Sequence, residues 1–265
     1  MTSKDRGLAP DAFEDDPRDE GAGPRSSSSP RGRKRRHLPV WQETLLLLLI
    51  ALLLAVGIKA FVAQAFYIPS ESMEPGLVEN DRILVEKPSY WGSGTPQRGD
   101  VIVFKDPGGW LGPAPDPGPV ADVLTKIGLY PEGGHLVKRV IGVPGDVIHC
   151  CDRQGRLEVN GVAVDESDYA RPGECYGPMI GCDWTAGPVP AGELFVMGDN
   201  RAHSADSTVH LCRETESDCA KDPYVGEDLV VGKVMAVIWP LGKARWEKDP
   251  DAFDDVPARD PDTDS

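Results

Sequence analysis

This 265-residue chain lacks a net positive charge. Lysine and arginine contribute 28 residues against 43 aspartates and glutamates, which leaves a formal net charge of −15 at pH 7. Binding to nucleic acid requires a basic surface that meets the phosphates, so the composition argues against a nucleic-acid partner. A dense basic run, Arg31-Gly32-Arg33-Lys34-Arg35-Arg36, lies just upstream of a leucine-rich segment.

Cysteine pairs of the kind that hold zinc are also lacking. The six cysteines contain no Cys-x-x-Cys pair, and we expect neither a metal nor another cofactor. All six follow the leucine-rich segment: Cys150, Cys151, Cys175, Cys182, Cys212 and Cys219. If this part of the chain is exported, disulfides are permitted there, and six cysteines allow 15 pairings. The short loops from Cys175 to Cys182 and from Cys212 to Cys219 are favoured, with free or mixed thiols as the alternative.

The leucine-rich segment predicts a membrane span. Residues 45–58 are apolar without a break, and Trp41 and residues 60–62 extend the run to about twenty residues, enough for a helix to cross a bilayer. Lys59 lies close enough to the end for its amine to reach the interface. We predict a transmembrane helix over residues 41–63. Because the basic run precedes it, we expect a single-pass protein of the cell membrane with a cytoplasmic N-terminus.

A cleaved signal peptide is the alternative to this anchor. The basic flank, the apolar core and Ala63-Gln64-Ala65 as an Ala-x-Ala cleavage site all support it. The long polar leader and the late Lys59 favour the anchor. Both alternatives place the domain that follows outside the cytoplasm.

Both ends of the chain are predicted to be disordered. Residues 1–40, with a run of four serines and the basic cluster, form a polar cytoplasmic tail. Residues 248–265 are rich in aspartate and proline, and they contain too little apolar surface to offset the entropy of ordering.

Between these parts, residues 64–247 predict a mainly β, antiparallel domain outside the membrane. Short β-rich runs separated by glycine, proline and aspartate occur over residues 82–86, 100–104, 145–149, 157–162, 193–197 and 232–239. Asn160-Gly161, between alternating apolar residues, predicts a hairpin turn. Residues 107–134 are predicted to be an insertion of loop, with a short helix over residues 120–129.

Aromatic residues around this domain are candidates for lipid contact. We expect Trp110, which lies in the insertion, to touch lipid. Phe66 and Tyr67 are expected to be buried in the core instead. Trp91 is a further candidate for the membrane surface.

Two short segments carry a candidate nucleophile and base. Ser72 lies in Pro69-Ser70-Glu71-Ser72-Met73, and Lys138 lies in an apolar run that predicts a strand. A serine hydroxyl needs a neighbour that takes its proton. Of the five histidines, none lies in a triad-like motif with an acidic partner.

A lysine can take over the base role only if it is neutral. Because its ordinary pKa is about 10.4, it must be desolvated. Strand alternation places Lys138, Val140 and Gly142 on one face and Arg139 on the other, so the two adjacent cations need not share a site.

Taken together, the motifs resemble those of the bacterial type I signal peptidases, which are membrane-bound serine proteases with a Ser/Lys dyad. The resemblance covers the span and residues 66–246. It is carried by the serine segment, by Asp81-Arg82-Ile83-Leu84-Val85, by Arg98-Gly99-Asp100-Val101-Ile102-Val103-Phe104, by Lys138-Arg139-Val140-Ile141-Gly142-Val143-Pro144-Gly145-Asp146, and by Gly198-Asp199-Asn200-Arg201-x-x-Ser204-x-Asp206-Ser207. The combination is highly specific, and it implies an antiparallel β catalytic domain.

The resemblance also implies roles for individual residues. Ser72 is the nucleophile, Lys138 the general base, and Ser70 an oxyanion-hole donor beside the Ser72 N–H. Ser204 is expected to hydrogen-bond and orient the Lys138 amine. Four further residues are expected to support the site: Asp199, Asp206, Arg139 and Ser207. His203 and Thr208 depart from the family pattern and receive no role.

The implied partners are preproteins that carry a signal peptide, together with the lipid bilayer. Cleavage is expected after Ala-x-Ala, because shallow pockets reject large side chains while an extended peptide pairs with a strand edge. Self-cleaving repressors share the dyad, but the membrane span and the acidic charge argue against them. A membrane-tethered β domain that only binds peptides or cell-wall partners is the non-enzymatic alternative.

Overall fold

The computed structural model describes residues 39–58, 62–112, 134–171, 181–212 and 221–259. Several predictions concern other parts of the chain and lie outside the described residues. These are the disorder of the N-terminal tail, the basic run, Lys59, the short helix over residues 120–129, and the cysteines Cys175 and Cys219.

A single apolar helix, α1, spans Val40–Gly57. Its long leucine run suits a helix, because unbranched and γ-branched side chains lose little freedom there. The helix has 18 residues and none of them is buried. A helix that is apolar on all sides is typical of a membrane span. It ends before the predicted limit at residue 63, because Ala63 already belongs to a strand.

Twelve strands follow within the described residues. In chain order they are β1 (Ala63–Tyr67), β2 (Arg82–Glu86), β3 (Val101–Lys105), β4 (His135–Gly142), β5 (Ile148–Cys150), β6 (Leu157–Val159), β7 (Val162–Ala163), β8 (Trp184–Ala186), β9 (Glu193–Met197), β10 (Val225–Gly226), β11 (Val230–Trp239) and β12 (Arg245–Trp246). Their described pairings are antiparallel, which confirms the predicted fold class of a mainly antiparallel β domain with one N-terminal apolar helix.

The larger sheet has the order β1-β2-β11-β3-β4-β9-β10, and β12 pairs with β11. Strand β4 therefore lies well inside the sheet, between β3 and β9. Interior strands are buried on both faces, which explains why β4 consists mostly of apolar residues. This position removes any charged side chain of β4 from water.

The smaller sheet has the order β7-β6-β5-β8. Its β6–β7 hairpin turns at Asn160 and Gly161, whose φ angles are 54° and 80°. Two positive φ angles define the turn that the Asn-Gly pair predicted. The strand predicted over residues 145–149 starts later, at Ile148, because Val143 and Asp146 close a turn ahead of it.

The C-terminal segment corrects the prediction of a disordered acidic tail. Residues 249–259 are ordered, and Asp251–Phe253 form a turn of 3-10 helix. Phe253 and Val256 are buried in the core cluster that also contains Ile141 and Phe195. Two well-placed apolar side chains are enough to dock a segment whose composition is otherwise polar, so the domain extends beyond the predicted limit at residue 247.

One prediction for an aromatic residue, the burial of Tyr67, is wrong. Trp110 is half-buried, because it stacks on His210 with ring centroids 4.5 Å apart and meets Phe104 edge-on, and its contact with lipid stays a prediction. Tyr67 is exposed, and its hydroxyl donates to Asn80. Phe66 packs against the core as expected, and Trp91 is exposed.

The cysteines form disulfides, including one that the spacing did not predict. Cys150 and Cys151 are bonded to each other. Cys182 and Cys212 are also disulfide-bonded. Their predicted partners, Cys175 and Cys219, lie outside the described residues. Among the described residues no cysteine is free.

Candidate active site

The candidate nucleophile lies in a turn that is fastened at both ends. Ile68 and Met73 are buried with Leu77 in a core cluster that includes Ile83 and Val85 of β2. The Ile68 N–H donates to the Asp81 carbonyl at 2.9 Å. Because apolar side chains anchor the turn on both sides of Ser72, the residue is held in place and is only 8% exposed.

The candidate base projects from the middle of β4. Lys138 is 4% exposed and pairs with Ile102 of β3. Its neighbours two residues away, Leu136 and Val140, belong to one apolar cluster with Ile102. The Lys138 Nζ lies 2.8 Å from the Ser72 Oγ. The structure thus joins two residues that are 66 positions apart in the sequence.

The surroundings of the amine lower its proton affinity. Burial away from water lowers the pKa of Lys138 below its ordinary value, while the charges of Asp206 and Asp199 oppose that shift. The net direction is downward, so desolvation wins. A neutral amine with a free lone pair is what a general base requires.

Ser70 lies beside the nucleophile at the surface. Its hydroxyl is 3.3 Å from the Ser72 Oγ and is open to solvent. A donor at this place is close to where a bound carbonyl oxygen would develop negative charge during attack by Ser72.

Ser204 differs from its predicted arrangement. Its hydroxyl donates to the Asp206 Oδ2 at 2.6 Å, and the hydrogen bond of Lys138 goes to Ser72 instead. The single proton of the Ser204 hydroxyl is therefore used in a charge-assisted hydrogen bond to Asp206. Ser204 still lies close to the dyad, because a β-carbon on Gly198 would collide with both the Ser204 Oγ and the Ser72 carbonyl oxygen.

Asp206 is the centre of a buried hydrogen-bond network behind the lysine. Its carboxylate accepts from the Gly198 N–H, from the Ser204 hydroxyl, and from both the N–H and the hydroxyl of Thr208. Ser207 adds one bond to the same region, since its hydroxyl accepts from the Val196 N–H at 2.9 Å. Four donors satisfy the Asp206 carboxylate, and its charge still favours the ammonium form of Lys138 against the larger effect of desolvation.

Asp199 is paired with Arg139 on the opposite side of β4. The guanidinium donates from Nε and Nη2 to the two carboxylate oxygens at 2.8 and 2.7 Å. It also donates to the Gly99 carbonyl at 2.6 Å, and it lies 4.6 Å from the centre of the Tyr169 ring. Both charged groups are buried, and a bidentate pair of this kind is rigid as well as strong.

The segment after β9 ties these groups to the serine turn. The Asn200 N–H donates to the Ser72 carbonyl at 3.0 Å, and the Asn200 side chain donates to the Glu71 carbonyl at 3.1 Å. The segment of residues 198–200 therefore contacts the Ser72 backbone, the Arg139 guanidinium and the Asp206 carboxylate.

Comparison with known proteins gives the same assignment as the motifs. Residues 41–239 match the family described as signal peptidase, peptidase S26. The chain belongs to this family. It is 38% identical over 237 residues to a probable signal peptidase I of Mycobacterium leprae, and the match covers 80% of each chain.

Two further relatives carry related names. A signal peptidase I of Mycobacterium tuberculosis is 38% identical over 241 residues, which cover 83% of this chain and 78% of the relative. A crystal structure of a signal peptidase I from Enterococcus faecalis is 26% identical, covers 52% of this chain and 95% of the other, and aligns with a TM-score of 0.32.

This S26 peptidase also contains buried polar residues near the site to which the sequence analysis gave no role. Arg201 forms a bidentate pair with Glu166 at 2.5 and 2.6 Å and donates to the Gly198 carbonyl. Thr208, which received no role, is buried and bonded to Asp206. Glu166 carries no local signal, because it is 35 residues away from its partner. The buried position of Thr208 follows only from the three-dimensional arrangement.

His203 lies at the rim of the site. Its side chain is 60% exposed, and its Nδ1 is 3.5 Å from the Glu71 carboxylate. Within the described ranges no group of three or more histidine, cysteine, aspartate or glutamate side chains is arranged to hold a metal ion.

Proposed function

We propose that this S26 peptidase is a membrane-anchored serine endopeptidase that removes N-terminal signal peptides from exported preproteins. Ser72 is the nucleophile and neutral Lys138 is the general base. The observation that carries the proposal is the 2.8 Å contact between the Lys138 Nζ and the Ser72 Oγ in a buried, apolar setting.

The first chemical step is acylation. The Ser72 Oγ attacks the scissile carbonyl carbon while its proton passes to the Lys138 Nζ, and the carbonyl oxygen becomes an oxyanion. The tetrahedral intermediate collapses as the Lys138 ammonium returns the proton to the leaving amine. The new N-terminus departs, and the signal peptide remains as an ester on Ser72.

Deacylation repeats the same proton transfers with water. Lys138 takes a proton from a water molecule that attacks the ester carbonyl, and it then returns the proton to the Ser72 oxygen. The products are a free carboxyl group on the signal peptide and the original dyad. Ser70, with the Ser72 N–H, stabilises the oxyanion in both steps, and loss of one such donor reduces the rate by about a hundred- to a thousandfold.

Three properties support the dyad over a strand lysine that is merely structural. The amine contacts a hydroxyl rather than a carboxylate. Burial lowers the pKa of Lys138. The neighbouring carboxylates are already committed, Asp199 to Arg139 and Asp206 to four donors.

The location of the substrate supports the membrane anchor. A signal peptide keeps its apolar segment in the bilayer, so the enzyme must work at the surface, and α1 is long and apolar enough to hold it there. We infer a cytoplasmic N-terminus and an extracytoplasmic catalytic domain from the basic run before α1. Nucleic acid is not a proposed partner, given the net charge of −15.

The pairing of β1 favours an uncleaved anchor over a cleaved signal peptide. Ala63, Gln64 and Ala65 pair with residues 84–86 of β2, so a cut after Ala65 would divide a strand of the sheet. N-terminal sequencing of the membrane-bound protein is expected to find no start at Phe66. Such a start would contradict the anchor.

Peptide cleavage tests the dyad directly. The full chain in detergent is expected to cut a synthetic peptide after Ala-x-Ala, and Ser72→Ala and Lys138→Ala are each expected to abolish cutting. Ser93→Ala and Lys105→Ala replace exposed residues of the same two types and should cut normally. Retained activity in Lys138→Ala would exclude the lysine base, and silence of both changes would favour a peptide-binding domain.

A further inference from the structure

The C-terminal strap, residues 249–256, is built into the domain that carries the dyad. Phe253 and Val256 are each 6% exposed. Arg98, which is ion-paired with Asp146 at 2.6 Å, also donates to the Val256 carbonyl at 3.1 Å. At the other end of the strap, Lys233 bonds to Asp249 at 2.8 Å. The strap is therefore held at both ends and in the middle.

The strap touches the backbone that supports Arg139. A β-carbon on Gly99 would lie 3.0 Å from the Pro250 Cδ and 3.3 Å from the Phe253 Cδ2, so both side chains are packed against Gly99. The carbonyl of Gly99 accepts a hydrogen bond from the Arg139 Nη1. The strap thus limits the movement of one of the acceptors of the guanidinium.

The strap also touches the aromatic ring that supports Arg139. The Phe253 and Tyr169 rings are 6.3 Å apart, and the Tyr169 ring lies 4.6 Å from the Arg139 guanidinium carbon. Arg139 therefore rests on two supports, Gly99 and Tyr169, that are both in contact with Phe253.

We propose that the strap, through Phe253, is a positioning element of the catalytic dyad, which holds Arg139 against Asp199 behind Lys138. This inference rests on the proposed Ser72/Lys138 mechanism. Phe253 acts through Arg139 and touches no reacting atom. Its role is to keep the buried carboxylate of Asp199 paired, and to keep the Asp199 segment in register with the serine turn through the Asn200 bond to Ser72.

The consequence for Lys138 is electrostatic. The charged groups that act on its amine are Asp206 and Asp199, and each favours the ammonium form. Asp199 is faced by Arg139 and by Arg201, and Glu247 lies 3.5 Å from Arg139. If Arg139 withdraws, Asp199 acts on Lys138 with less compensation, so the amine holds its proton to a higher pH.

A pH profile separates this role from general stability. We would measure kcat and KM for the synthetic peptide against pH with the full chain in detergent, for wild type, Phe253→Leu, Phe253→Ala and a chain truncated after Lys248. In Phe253→Ala we expect kcat near pH 7 to fall by about tenfold or more, while KM changes by less than about twofold. We also expect the acid limb of the kcat–pH profile, where activity falls as the base becomes protonated, to move to higher pH by about half a unit or more. Phe253→Leu should show a smaller shift in the same direction.

Two controls accompany these variants. Leu157→Ala removes a buried side chain of the same core cluster in the smaller sheet, and should reduce thermal stability without moving the limb. Truncation after Arg259 leaves the strap intact and should match wild type.

An unshifted limb in folded Phe253→Ala, or a shift that Leu157→Ala reproduces, would overturn the proposal. If Phe253→Ala and the chain truncated after Lys248 do not fold, Phe253→Leu provides the test. An acid limb at the same pH as in wild type would then overturn the proposed role of the strap. Lys138→Ala in the same assay separates the two proposals. Activity in Lys138→Ala would contradict the proposed dyad. An inactive Lys138→Ala together with Phe253 variants that behave like wild type would contradict only the proposed role of the strap.

Discussion

Lys138 and Arg139 are neighbours in β4 that face opposite sides of the sheet, and both side chains are buried. Arg139 receives a bidentate carboxylate, a backbone carbonyl and an aromatic ring. Lys138 receives a serine hydroxyl among apolar side chains, and its nearest carboxylates are engaged elsewhere.

The difference follows from the chemistry of the two cations. A guanidinium keeps its proton in a protein, so burying it requires compensating acceptors. An amine can be buried without them by releasing its proton. The fold therefore pairs the charged neighbour with Asp199 and leaves the neighbour with the lowered pKa in contact with Ser72. The proposed base thus depends on the carboxylate that Arg139 occupies as well as on the side chains that surround Lys138.

Replacement of Lys138 by methionine should have the largest effect, because it removes the amine by which Lys138 differs from Arg139. Without a base, peptide cleavage should fall by about a thousandfold or more. The variant should also resist urea better near neutral pH, because unfolding of the wild type lets the lysine regain a proton. Tryptophan fluorescence during urea unfolding measures this, with Lys105→Met as the exposed control.

The sign of the pH dependence makes this prediction specific. The folded pKa of Lys138 lies below its ordinary value of 10.5, so between the two values the unfolded chain binds more protons. Wild-type stability should rise with pH in that window, by at most about 1.4 kcal/mol per pH unit. The methionine variant lacks this contribution, so its advantage should shrink towards pH 10. An advantage that stays constant with pH would mean that the lysine is not neutral in the fold.

Removing one member of the ion pair at a time should shift the activity profile in opposite directions. Asp199→Asn removes a charge that favours the ammonium, so the acid limb of kcat/KM should move to lower pH. Arg139→Met leaves Asp199 uncompensated, so the limb should move to higher pH. Each change should destabilise the fold by about 3–5 kcal/mol, because it leaves a buried charge without its partner.

Equal stability losses with opposite limb shifts would be hard to explain by misfolding. Thermal melts and pH–rate profiles of both variants, measured on the same preparations, provide the comparison. Shifts in the same direction would show that Asp199 does not act on Lys138 through its charge.

Thr208→Val tests the network on the lysine side with a change of nearly constant volume. Its hydroxyl donates to Asp206 at 2.8 Å, and loss of a hydrogen bond to a charged group costs about 1.5–3 kcal/mol of stability. We expect this loss in urea unfolding, together with a modest decrease in kcat. Thr208→Ser keeps the hydroxyl and should restore most of both. A valine variant as stable as wild type would show that Asp206 does not depend on this donor.

The sequence predicts the parts of the site that have local signatures. Ser72 and Lys138 lie in dense motifs next to buried apolar residues, and β2 and β9 have the predicted limits. The pairing of Arg201 with Glu166 has no such signature, because it joins distant segments with no shared pattern.

The failures have two physical causes. Composition alone predicted that the segment containing the strap is disordered. Two buried side chains, Phe253 and Val256, nevertheless dock this otherwise acidic segment on the domain. The predicted bond from Ser204 to Lys138 is replaced by a bond from Ser204 to Asp206 at 2.6 Å, while the amine contacts Ser72, and the sequence does not encode these distances. Both depend on contacts that exist only after folding.

His203→Ala should have the smallest effect. The imidazole is near Glu71, but both side chains are more than half exposed, and solvent screens such pairs strongly. We expect kcat/KM to stay within about fivefold of wild type from pH 6 to 8, since an exposed ion pair contributes about 1 kcal/mol at most, which is a factor of about five. A changed profile in that range would mean that His203 senses pH for the dyad, and Glu71→Gln should then reproduce the change. If Glu71→Gln has no effect, the change does not come from this pair, and the remaining contact of the imidazole is with the Asn200 side chain at 3.5 Å.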